Sequence, residues 1–230
     1  MDKGFGTAYE KQILGKIFAD LVNKYKIKTV CEFPSNDLMD NNSSEFETLG
    51  CSVTRQSLTD VDSSEKYDLV WCFCEVEQQE NPLALIETMI EKSKRYILII
   101  TQNKRNIGVP LHYIYHFFAR KKWDHGHYKY MTTAIVEKEI TGKNVSIVYR
   151  GAFDAPWFIL DVYEAGTLLL RLIPKSLIGS KIKQNKIKES FFEKLPYGKK
   201  KWLSHHVYVL IDKNQSSFQK SHATLKERDA

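Results

Sequence analysis

Residues Tyr67 to Pro82 read YDLVWCFCEVEQQENP. The run from Tyr67 to Phe73 is almost continuously apolar, as strands of a parallel sheet buried on both faces are. A polar turn follows, and Pro82 stands where a helix tolerates proline, in its first turn. The helix PLALIETMIEKSKR gathers cations toward its carboxyl end, where the dipole favours them, and YILIIT (Tyr96 to Thr101) supplies a second buried strand. Buried strand, helix, buried strand predicts a parallel α/β sheet with right-handed crossovers.

Working outward, Ala8 to Tyr25 sets Ile13, Leu14, Ile17, Phe18 and Leu21 on one helical face. Thr29 to Phe33 reads as a strand, Glu45 to Leu49 as a short helix ended by Gly50, and Cys51 to Ser57 as a further strand. Downstream come an aromatic and histidine-rich stretch (Pro110 to Tyr130), a helix from Thr132 to Ile140, and strands at Val145 to Tyr149 and Val207 to Ile211. The last two are expected to pair as an antiparallel hairpin at one edge. A chain of 230 residues suits one hydrophobic core. A single domain over 1–230 is therefore expected, with a cap at about 104–131 and a basic insertion at about 156–203.

The composition, 43% hydrophobic and 27% charged, is that of a globular chain and excludes fibrous and membrane-spanning classes. No apolar run approaches the roughly 20 residues a bilayer demands. The opening MDKGFGTAYEKQ has no signal-type apolar core, so a cytoplasmic address is expected. Cys31, Cys51, Cys72 and Cys74 make no paired CxxC framework and read as reduced thiols. The formal charge is +6, yet 14 Lys and Arg against 5 Asp and Glu lie from Arg171 onward, which leaves residues 1–170 at −3. The basic character belongs to the C-terminal quarter.

The Tyr67 to Pro82 stretch resembles the class I S-adenosylmethionine-dependent methyltransferases, especially the type 11-like group, whose fourth strand reads like FDLV before an L-E-H-type turn. Tyr67-Asp68-Leu69-Val70 match that strand, Glu77 falls on the family's Glu, Gln78 replaces its His, and Asn81-Pro82 match the helix opening. The resemblance implies a Rossmann-like methyltransferase fold: a three-layer αβα arrangement, a mostly parallel sheet and an antiparallel C-terminal edge strand. Only nine residues, Leu58 to Lys66, separate the second strand from Tyr67, so the sheet should be one strand short of the family's usual seven.

The resemblance also implies S-adenosyl-L-methionine as cofactor. Its contacts would come from Glu32, Pro34, Ser35 and Asn36 at the end of the first strand, Ser57 after the second, and Cys74, Glu75 and Glu77 after the fourth. Two departures mark a degenerate site. KTVCEFPSND (Lys28 to Asp37) has no glycine where the family has several, and VTRQS ends without the ribose-binding acid. PSND reads equally as a plain strand-to-helix turn with an N-cap.

In the histidine-rich stretch His112 and His116 share a helix face, while His125 and His127 flank Gly126 in a turn. One reading is a lid and substrate wall. There His116, His125, His127 or Tyr128 serves as general base, and Tyr113, Trp123 and the more distant Asp154 line the acceptor. The other is a partly buried aromatic cap whose histidines are satisfied by hydrogen bonds. Without a Cys pair or HExxH, no metal ligand set is expected. The run at 181–202 interleaves Lys with Phe191, Phe192, Tyr197 and Trp202, either to hold nucleic acid or as a solvated face. The expected function is a methyltransferase of unspecified acceptor. The alternative is a catalytically inactive, methyltransferase-like binding or scaffold protein that contacts nucleic acid through its basic quarter.

Overall fold

The structure, a computed structural model, describes residues 5–34, 44–58, 64–118, 120, 126–154 and 191–214, without the side chains of 5–9, 111–113, 115–116 and 191–192. Six strands form one sheet: β1 (Thr29–Phe33), β2 (Ser52–Arg55), β3 (Tyr67–Phe73), β4 (Ser93–Gln102), β5 (Ser146–Phe153) and β6 (His206–Asp212). Their order is β2-β1-β3-β4-β6-β5. The first four in that order are parallel, and β6 is antiparallel to both its neighbours, β4 and β5. The fold is α/β and Rossmann-like, with six strands among the described residues.

The antiparallel C-terminal strand does not form the edge. It inserts between β4 and β5 and leaves β5 outermost. Burial explains the placement, because HVYVLID is covered at all seven positions whereas the first five residues of β5 are only partly covered or exposed. A strand apolar on both faces belongs inside a sheet.

The helices among the described residues are α1 (Phe5–Tyr25), α2 (Ser44–Thr48), α3 (Pro82–Lys92), α4 (Val109–Phe118), α5 (Ala134–Glu139) and α6 (Tyr197–Lys200). They cover both faces. On one, Ile13, Leu14, Phe18 and Leu21 of α1 and Phe46 of α2 pack on Leu69, Trp71, Phe73, Leu98 and Leu210. The Phe18 and Phe46 rings stack at 4.1 Å, and Phe18 meets Trp71 edge-on at 5.0 Å. On the other, Leu85, Ile86 and Met89 of α3 and Val136 of α5 pack on Val70, Cys72, Ile97, Val209 and Ile211. Alternate residues of β3 and β4 enter opposite cores, which is why each strand reads as an unbroken apolar run. Tyr67 breaks the alternation and joins the second core, because the β3–β4 register shifts between Tyr67 and Leu69.

Helix α3 opens as expected, with Asn81 Oδ1 accepting from the Ala84 N–H at 3.4 Å. It stops at Lys92, short of the SKR expected to finish it. Ser93 is already extended (φ −81°, ψ 133°), its Oγ donates to the Tyr96 carbonyl at 2.9 Å, and Arg95 pairs with Asp212 of β6 at 3.1 Å. Strand partners outweigh local helix preference there. All four cysteines are free thiols. Among the described residues no helix is long and apolar enough to cross a membrane.

Candidate functional site

Strands β1, β3, β4 and β5 end on one edge of the sheet, and the antiparallel β6 begins there. Immediately after β3, Cys74 takes a left-handed φ of +52° while its N–H donates to the Ile100 carbonyl at 2.9 Å. That turn directs Glu75 and Glu77 inward, to 4% and 0% exposure. Glu77 Oε1 accepts from the Gln102 N–H at 2.7 Å, and Glu75 Oε1 accepts from the Gln79 side-chain amide. The second oxygen of each carboxyl has no hydrogen-bond partner among the described residues, nor has the buried Thr101 Oγ1 at the end of β4. Burial pushes both carboxyls up to about 7, and the Gln102 N–H offsets only part of that rise at Glu77. Burial, then the Glu77 charge, pushes the Cys74 thiol well above its ordinary range.

The cap is seated on this turn. The His127 N–H donates to the Glu77 carbonyl at 2.7 Å. Gly126 beside it has φ +84°, and a Cβ there would stand 2.6 Å from the Glu77 carbonyl oxygen. Only glycine permits both the backbone angle and the approach. The His127 side chain is exposed, its ring edge-on to Tyr130 at 5.8 Å. Tyr128 is also exposed, with Lys104 Nζ 5.8 Å from its ring centre. The side chains of Tyr113 and His116, and residues Trp123, His125, Ser35 and Asn36, lie outside the described residues.

On the β1–β2 side, Glu32 is 7% exposed and its Oε2 accepts from Arg55 Nε at 3.1 Å. The pair follows from strand register, since Glu32 and Arg55 are direct partners on β1 and β2. The acid expected to meet the cofactor thus already holds a guanidinium. Gln56 continues the ladder through its N–H to the Glu32 carbonyl, and its side chain lies against Tyr67 Oη and Cys31 Sγ. Pro34 and Ser57 are exposed. In the basic run, Lys200 Nζ is tied to Glu193 through the carbonyl (2.8 Å) and carboxylate (3.4 Å), Trp202 is exposed, and 181–190 lie outside the described residues.

Asp154, at the end of β5, is 3% exposed at a left-handed φ of +64°, with its Oδ2 3.4 Å from His205 Nδ1. Sequence reasoning missed its neighbours. Glu10 of α1 is 4% exposed, and burial, reinforced by the Asp154 charge, drives its carboxyl well above the usual range. His206 is 1% exposed between Phe73 (4.9 Å) and Phe153 (5.0 Å), and burial holds its imidazole well below its ordinary pKa. Both carried a signal. Glu10 precedes Ile13 and Leu14 by helical spacings, a charge on the apolar face, and paired histidines open the strand VYVLI.

No family model and no curated relative matches the chain. Among solved structures it is similar to magnesium protoporphyrin IX methyltransferase from Synechocystis PCC 6803 with bound SAH, at 13% identity over 64% of this chain and 78% of that one, TM-score 0.46. It is similar also to the plantazolicin methyltransferases BpumL with SAH (10% identity, 90% and 85% covered, TM-score 0.45) and BamL with a triazolic desmethylPZN analog and SAH (13%, 89% and 84%, TM-score 0.44). The architecture itself rests on the strand order and register described above.

Proposed function

We propose that the chain binds S-adenosylmethionine at the carboxyl ends of β1, β3 and β4 and positions it for methyl transfer to a nucleophilic acceptor. One observation carries this assignment: Glu75 Oε2, Glu77 Oε2 and Thr101 Oγ1 are buried without partners among the described residues, at the sheet edge where open α/β folds take ligands. Buried carboxyls suit a ligand bearing cationic ammonium and sulfonium groups. The cofactor, when bound, supplies an activated methyl group. Glu75 and Glu77 hold its charged half, and Cys74 walls the pocket. The His127 turn, seated on Glu77, covers it. His127 accepts a proton from an attacking nitrogen or oxygen, while Tyr128 and Asp154 line the acceptor side. In-line placement is the main demand of such a transfer. The adenosine half has no acid at β2 and relies on Ser57. A single cytoplasmic domain over 1–230 belongs to the same proposal.

The Glu32–Arg55 ion pair favours a second reading, a methyltransferase-like binding protein without cofactor, because the family-matching acid is already engaged. Titration with S-adenosylmethionine and S-adenosylhomocysteine separates the two. Binding to the folded state raises the melting temperature, and Glu77→Gln diminishes the rise. An unchanged melting temperature at millimolar ligand, with the chain folded, overturns the first reading. Salt-sensitive retention of RNA by that same chain, lost on replacing Lys199 and Lys201, then supports nucleic-acid binding through the basic quarter.

A further inference from the structure

The antiparallel pairing of β5 with β6 brings the end of one strand to the start of the other. Asp154 therefore faces His205 and His206: the register pairs Phe153 with His206, and the His205 N–H donates to the Asp154 carbonyl at 3.1 Å. Each of the three residues offers one ligand atom, and these atoms lie within 4.8 Å of one another. Two are almost wholly buried, Asp154 at 3% and His206 at 1% exposure. Asp154 adopts a left-handed backbone, φ +64°, with its carboxylate standing against His205.

Two further observations point to a cation. His206 Nδ1 is buried without a hydrogen-bond partner among the described residues, as is Glu10 Oε1, the next carboxylate along the same edge. Glu10 feels the charge of Asp154, so two buried acids share this corner.

We propose that Asp154, His205 and His206 bind a divalent transition-metal ion, at a site separate from the carboxyls after β3. Two imidazoles and one carboxylate form a donor set of the kind zinc uses. With ligand bonds of about 2.0–2.2 Å, the three atoms need to draw together by less than about 1.5 Å to enclose the ion. Three protein donors leave a coordination position open, with Glu10 nearest in charge to fill or orient it. None of its three ligands belongs to the Glu75–Glu77 turn, while Asp154 sets the ion beside the acceptor side proposed above.

The test is titration of the metal-free full chain with Co2+, followed by its visible ligand-field bands, then displacement by Zn2+. One equivalent of Co2+ should develop the bands, Zn2+ should abolish them, and either ion should raise the melting temperature. Asp154→Asn and His206→Gln should each weaken binding by roughly a hundredfold. Should either variant fail to fold, the half-buried His205→Gln carries the same expectation. A chain with His112, His116, His125 and His127 all replaced by Gln should bind as before. No Co2+ binding by the folded wild-type chain overturns the proposal, as does binding that survives His206→Gln and His205→Gln but vanishes with the four cap histidines.

Discussion

The two ends of the sheet differ in how completely their buried polar atoms are partnered. At the amino end, charges are paired. Asp68 accepts from the Lys28 and Thr29 N–H groups at 3.0 Å each and lies 3.6 Å from Lys94, Arg95 clasps the buried Asp212, and Lys213 Nζ donates to the Ile90 and Ser93 carbonyls. At the carboxyl end, Glu10, Glu75, Glu77, Thr101 and His206 each keep a buried atom without a partner among the described residues. The same strands make both ends, so the sheet does not impose the contrast. An unmade buried hydrogen bond costs about 1–3 kcal/mol, which a fold tolerates where a ligand completes it.

The contrast extends to pH. Burial pushes the Asp68 carboxyl up, but the Lys28 and Thr29 hydrogen bonds outweigh it and leave the group below its ordinary 3.8. Its contribution is therefore present above pH 4 and lost as pH falls through the folded-state value. Glu75 and Glu77 have the opposite sign. The folded chain keeps protons on them up to about pH 7, whereas the unfolded chain loses them near 4.5, so stability falls as pH rises across that window.

Breaking the amino end should have the largest effect. Asp68→Ala removes two N–H bonds to a carboxylate, one exposed and one part-buried, and should destabilise by about 3 kcal/mol in denaturant melts, while ligand-induced melting shifts persist. Glu77→Gln should act in reverse, stabilising by about 2 kcal/mol at pH 8, flattening the loss between pH 4.5 and 7, and weakening S-adenosylhomocysteine binding. Equal destabilisation by both variants would erase the contrast. Thr101→Val removes a buried hydroxyl without a described partner and should stabilise by about 1 kcal/mol. Smallest is Lys26→Gly. Lys26 follows α1 at φ +57°, and glycine there should add about 0.5 kcal/mol, a backbone effect independent of charge pairing.

Much of the two cores is legible in the sequence. The α1 face, the Tyr67 to Phe73 run and the Pro82 helix start follow from local periodicity and capping, and Gly126 announces a turn. Less of the carboxyl end is. Glu75 and Glu77 stand out through a motif, but nothing local tells that the Glu77 carbonyl receives the cap or that Glu32 meets Arg55. Those contacts depend on which strands become neighbours. His205 and His206 read as strand residues, because Asp154 lies more than fifty positions earlier.

By itself, then, the sequence determined the α/β class, the helix-covered sheet and the reduced cysteines, since apolar period, turn residues and cysteine spacing act over a few positions. Tertiary structure alone decided that β6 lies inside the sheet, that Arg55 occupies Glu32, and that one corner gathers Glu10, Asp154, His205 and His206. The physical reason is register: a partner across a strand is set by sheet order and alignment, and neither is encoded within the strand that carries the residue.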